Sequence, residues 1–163
     1  MKNKKVLFLT QAAMIAALYI VLTYFINAFN LASGAIQVRI SEALTILPVF
    51  TPAAIPGLFV GCLLSNSLTG CMPFDILFGS LATLIGALGT RALRKHPWLA
   101  PLPPILANTI IVPFILSYVY HFEGSLPYFA VTVGIGEVLS CGVLGMILYF
   151  SLQKQANRIF QTL

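Results

Sequence analysis

The sequence predicts an all-α integral membrane protein, a bundle of six transmembrane helices with the N and C termini both cytoplasmic. Composition, apolar runs and the placement of basic residues carry that reading. Hydrophobic residues make up 59% of the 163 and charged residues 8%, and the mean hydropathy is +0.96. That balance leaves too little polar surface for a water-soluble globule of this size. The chain reads as one domain over residues 1–163.

The first apolar run, residues 6–29, is long enough to span at ~1.5 Å rise per residue across ~30 Å of hydrocarbon. It reads as a retained helix, because a signal peptide would leave the later runs unexplained and residues 12–17 lack a clear cleavage context. Residues 30–39 are polar and contain Gly34, the pattern of a loop that folds back over the protein. The stretch 40–68 is apolar but broken by Pro48, Pro52 and Pro56, so it fits one kinked helix or two helices joined at Thr51-Pro52. Three further runs follow at 76–93, 99–122 and 126–152.

Charge parity chooses between the two readings of 40–68, since cytoplasmic loops collect Lys and Arg. With two helices there, Lys2, Lys4, Lys5, Arg91, Arg94, Lys95, Lys154 and Arg158 share one side, leaving Arg39 alone on the other. With one helix the Arg91 cluster lands opposite the N-terminus. Six crossings result, and residues 40–50 must form a short or tilted helix shielded by its neighbours. Glu42, Asp75 and Glu123 then fall at or near the outer face beside Arg39.

Helices in lipid associate through small residues that admit close backbones. Three rows fit: Ala12/Ala16 with Ala13/Ala17 in the first helix, Ala53/Gly57/Gly61/Ser65 in the third, and Thr132/Gly136/Ser140 in the sixth. Internal packing explains the second and third. For the first row an intermolecular role competes with packing.

Glu137 is the most informative residue, an ionisable group stranded in a bilayer-length apolar run. A carboxylate at that depth costs roughly 2.5–3.5 kcal/mol on insertion scales and calls for a partner or a ligand. Helical spacing puts Gly134 and Cys141 on its face. It reads as a ligand-binding carboxylate, against the plainer alternative of a protonated acid bonded to Asn108, Ser or Thr. Asp75 serves equally as a helix N-terminal charge or a ligand contact. Arg39 and Glu42, three residues apart, read first as an interfacial ion pair. Asn66 and Asn108 either face a cavity or bond across helices.

Cys62, Cys71 and Cys141 show no metal or disulfide spacing. Hydrolase, zincin, Cys-His and Walker patterns are missing, and His96 and His121 fall at opposite ends of the topology. The chain therefore reads as a non-enzyme with no cofactor, no metal and no nucleic-acid partner. Any active transport has to borrow its ATPase.

Three blocks carry a resemblance: residues 38–48 (VRISEALTILP), 54–62 (AIPGLFVGC) and 75–84 (DILFGSLATL). Together they resemble the QueT family, queuosine-precursor substrate-binding (S) components of energy-coupling factor (ECF) transporters, over residues 5–152. The resemblance implies an S-component fold that captures a 7-deazaguanine compound at the outer face of a bacterial cytoplasmic membrane. It also implies an ECF energising module, one transmembrane scaffold plus two ATPases, docking on small first-helix residues. Ala13 and Ala17 match that role, with Ala12 and Ala16 beside them. A deazaguanine presents adjacent N–H donors that one carboxylate accepts as a pair, a task that suits Glu137. Asp75 or Glu42 would meet an aminomethyl cation, Phe74, Phe78, Tyr118 or Tyr128 would stack on the flat ring, and residues 30–38 would close as a lid. An S component for another vitamin and a stand-alone facilitator remain open as alternatives.

Overall fold

The computed structural model describes residues 3–28 and 39–160, and every regular element among them is helical. In chain order these are α1 (Lys4–Ala28), a 3₁₀ helix η1 (Ile40–Val49), α2 (Ala54–Leu68), α3 (Pro73–Ala92), α4 (Leu102–Tyr118), α5 (Leu126–Leu152) and a short terminal helix, Ala156–Ile159. The expected lid at 30–38 lies outside the described residues.

α1, α3 and α5 are long and apolar enough to cross a membrane, whereas η1, α2 and α4 are apolar but shorter. The stretch 40–68 is two helices, η1 and α2, parted at residues 50–53. η1 is unusual, because 3₁₀ runs rarely exceed one turn. Its 10 residues reach ~20 Å at ~2.0 Å rise, against ~15 Å as an α-helix. The stretched form gives a short segment the reach of a longer α-helix.

The packing order explains how so short a helix survives. α1 packs on α2, α2 on α3, α3 on α4 and α4 on α5, while η1 touches α1, α2, α3 and α5. Every η1 residue from Ser41 to Pro48 is buried. Its carbonyls at the basic end are met by Arg91, whose Nη1 donates to Pro48 O at 3.0 Å and Val49 O at 3.3 Å. That arrangement satisfies a helix C-terminus without water.

Small residues set the close contacts. A Cβ on Gly57 would lie 2.7 Å from Ala12 O, and one on Gly61 2.8 Å from Tyr19 Cβ and 3.1 Å from Ala16 Cα. The row Ala53, Gly57, Gly61 and Ser65 is buried throughout. Ala12 and Ala16 face α2, so they are bundle-packing residues rather than a free docking face. Ala13 and Ala17, about 100° round the helix, are exposed.

Gly57→Ala is expected to destabilise the protein by about 1–3 kcal/mol, because the clash is with backbone and not with a flexible side chain. Gly134→Ala, whose added carbon would meet nothing nearer than 3.5 Å, is the neutral control. Thermal unfolding in detergent separates the two.

Candidate functional site

Tyr19 from α1, Glu42 and Thr45 from η1, Asn108 from α4 and Glu137 with Cys141 from α5 meet inside the bundle. Helical spacing along α1 puts Tyr19 on the buried stripe of Ala12, Ile15 and Ala16. Glu137 ends the first α-helical part of α5, and the next segment, Val138–Leu144, is π-helical before the α-helix resumes. Such widened turns recur at functional sites, and this one faces η1 with Ser140 and Cys141.

Glu42 is 1% exposed and Glu137 7%. The Tyr19 hydroxyl donates a short hydrogen bond to Glu42 Oε1, while Glu42 Oε2 finds no partner among the described residues. Cys141 Sγ lies 3.2 Å from Glu137 Oε2 as donor and accepts from Thr45 Oγ1 at 3.4 Å. The Asn108 side chain also bonds Glu137. Donor atoms of Glu42, Glu137 and Cys141 all fall within 4.8 Å of one another. Two carboxylates this close in a low-dielectric interior repel when both are ionised. The arrangement therefore favours an occupant that brings positive charge or several N–H donors.

A second polar group lies nearer the end away from the basic residues. Asp75 and Asn66 are buried, and a Cβ on Gly79 would sit 3.2 Å from Asp75 Oδ1 and 3.3 Å from Asn66 Nδ2. Asn66 Nδ2 reaches Cys62 Sγ at 3.7 Å. The Tyr120 hydroxyl donates to Asp75 Oδ2 at 2.8 Å. Arg39 is half-buried, donates its backbone N–H to Ser140 Oγ at 3.2 Å, and lies in electrostatic reach of Asp75 and of Glu42. It stands between the two groups.

The structure thus brings Glu137, Asn108, Glu42, Arg39, Asp75 and Asn66 into one buried polar interior. Glu42 differs from its expected place at the outer interface, because η1 is buried on every side and offers no surface for an ion pair. The aromatic candidates are not brought there. Phe74 is 60% exposed, and Phe78, Tyr118 and Tyr128 are exposed too. Phe74, Phe78 and Tyr118 line an apolar outward-facing groove of about 420 Å³ between α3 and α4. Large apolar rings on such a surface suit lipid contact better than a polar interior. Sequence reasoning missed Tyr19 and Tyr120 as partners of the acids. The first was signalled by the heptad-like α1 stripe, but nothing local marked the second.

These features define a helical, membrane-type protein with a buried, acid-rich polar interior. The model of the QueT transporter family matches residues 9–154, and the chain belongs to that family. It is 34% identical over 85 residues to the Queuosine precursor transporter QueT of Lactococcus lactis subsp. cremoris (strain MG1363), a match covering 52% of this chain and 50% of that relative. The matched segment thus spans half the relative's length. No solved structure matches.

Tyr19→Phe is expected to lower stability by about 1–3 kcal/mol, since it strips Glu42 of its bond while leaving the carboxyl buried. Adding Glu42→Met should recover part of the loss, because the orphaned acid is then gone. A double-mutant cycle of unfolding midpoints reads the coupling.

Proposed function

We propose that this chain is the substrate-specificity subunit of an ECF-type transporter, binding a queuosine precursor of the 7-deazaguanine class for ATP-driven uptake by a partner module. In this reading α1, η1, α2, α3, α4 and α5 are the six crossings of a single transmembrane substrate-binding domain in a bacterial cytoplasmic membrane. Both termini and the turn carrying Arg94 and Lys95 lie on the cytoplasmic side.

The observation that carries the reading is the pair of buried acids, Glu137 held by Asn108 and Cys141, and Glu42 with one oxygen unpartnered. Glu137 accepts the adjacent N–H donors of a deazaguanine edge in a charge-assisted pair. Glu42 Oε2 accepts from whatever else the ligand presents, an aminomethyl cation included. Asp75, Asn66 and Arg39 line the approach. The Cys141 thiol serves here to hold the Glu137 carboxylate, and the site's chemistry in this reading is capture and release.

The exposed α1 face supplies the docking surface. Ala13 and Ala17 lie one turn apart with Met14, Leu18 and Val21 exposed around them. Small residues there admit a scaffold helix at close range.

Glu137→Gln is expected to weaken affinity for a 7-deazaguanine by at least ~2 kcal/mol, because an amide accepts once where the carboxylate accepts a pair. Isothermal titration on the purified subunit measures it, with mass spectrometry of the co-purified small molecule to name the native ligand. Unchanged affinity in a folded variant would reduce Glu137 to a structural acid.

Ala17→Trp should leave ligand affinity intact and abolish uptake after co-reconstitution with the energising module. Lost binding, or full uptake, would place this face inside a ligand path or against lipid instead.

A further inference from the structure

Tyr120 stands outside the carboxylate cluster, yet it joins two distant parts of the chain. Its hydroxyl donates to Asp75 Oδ2 at 2.8 Å and accepts from the Met72 backbone N–H at 3.2 Å. Met72 is the residue that precedes α3 and offers no side-chain cap of its own. One of the orphan donors of that helix start is therefore met by a phenol 48 positions away in sequence.

The backbone around Tyr120 is built to aim it there. Val119 and Tyr120 N–H groups both bond Ile115 O, at 2.9 and 3.1 Å, and Phe122 N–H bonds Leu116 O at 3.1 Å. The turn is closed by His121 at φ 52, a left-handed conformation that non-glycine residues seldom adopt. Residues in such regions persist where their surroundings over-determine them, and they cluster at clamps and switches. Here the Tyr120 ring stacks on Phe122 at 5.6 Å and packs on the Leu116, Phe129 and Val133 cluster.

What the phenol holds is Asp75, the acid of the polar group nearer that end. Asp75 shares with Asn66 the space over Gly79, and Asn66 touches Cys62, one helical turn deeper. A line of side chains thus runs inward from Tyr120 through Asp75 and Asn66 to the buried thiol of Cys62.

We propose that Tyr120 is a clasp. It positions Asp75 and ties the α4–α5 turn to the start of α3, and its release opens the buried polar interior at that end of the bundle. A single hydroxyl making two bonds is a suitable closure, strong enough to hold a turn and weak enough to open on a functional timescale.

The test uses the protein's own cysteines in lipid nanodiscs. In a Cys71→Ser background, the rates at which N-ethylmaleimide modifies Cys62 and Cys141 are followed by mass spectrometry. Tyr120→Phe keeps the stacked ring and removes both bonds, so modification of Cys62 should accelerate by about fivefold or more, as local opening becomes cheaper. Tyr118→Phe, an exposed tyrosine on the same helix end, should leave the rate within about twofold. Unchanged thiol rates in Tyr120→Phe, or equal acceleration in both variants, would overturn the clasp.

A second arm rests on the proposed function and uses 7-aminomethyl-7-deazaguanine as probe. Tyr120→Phe should raise its dissociation rate about fivefold with a smaller change in association. Faster association with unchanged dissociation would overturn the clasp. Failure of the unaltered protein to bind the probe would count against the proposed ligand instead, and the thiol rates would still decide the clasp.

Discussion

The structure depends on keeping a carboxylate at the centre of an apolar bundle. Glu42 rides on η1, and the helices that bury η1 also supply what the acid needs. α1 approaches α2 closely enough, through Gly57 and Gly61, to seat Tyr19 inside rather than at the rim. α5 widens into a π turn where it passes η1, which presents Cys141 to both Glu137 and the Glu42 carbonyl. The irregular geometry is thus concentrated where the charge is.

The two ends of the bundle are fastened differently. At the basic end Arg91 grips the last η1 carbonyls, and Gln11 donates to Phe160 O at 2.8 Å while accepting from Thr51 Oγ1 at 2.8 Å. Phe50 is sandwiched there by Tyr149 and Phe160 at 5.3 and 5.7 Å. A buried glutamine satisfied from two directions is costly to disturb, since opening either bond leaves a polar group in an apolar setting. The other end is tied across α3 and the α4–α5 turn by one phenol. Such an asymmetry suits the proposed capture of a ligand from one side.

Much of this fold was legible in the sequence, and each failure has a physical cause. The helices at 6–29, 76–93 and 126–152 correspond to α1, α3 and α5, because long apolar runs leave little else for a backbone to do in lipid. Charge parity divided 40–68 into two helices, where proline positions alone were ambiguous. Glu137 was legible as a lone acid in such a run, and Cys141 as its neighbour four residues on. Glu42 was misplaced because spacing rules assume an α-helix with one face outward, and η1 has neither property. The aromatic candidates Phe74, Phe78 and Tyr128 were drawn inward by the chemistry of a flat ligand, whereas an apolar surroundings leaves large rings free to face out. Tyr120 was invisible for a different reason: its partners lie 45 and 48 residues back, and no local pattern encodes such a meeting.

α1 shows how the proposed capture and docking roles coexist on one short chain. Successive residues on a helix turn by about 100°, so the overlapping pairs Ala12/Ala16 and Ala13/Ala17 look in different directions although they share a sequence motif. The first pair lets α2 approach and so fixes the depth at which Tyr19 meets Glu42. The second leaves a smooth outward strip with no bond to the interior among the described residues. A partner seated on that strip would touch the same rigid helix that positions Tyr19 without touching the acids themselves. Docking would then shift α1 as a body, and the Tyr19 hydroxyl, bonded to Glu42 Oε1, is the one α1 group described as reaching the carboxylate cluster. The proposed link from partner to ligand therefore runs through the α1–η1 contact, by Tyr19 on Glu42 and by Thr23 Oγ1 on Ser41 Oγ at 2.9 Å, and its sign depends on whether α1 moves toward η1 or away from it.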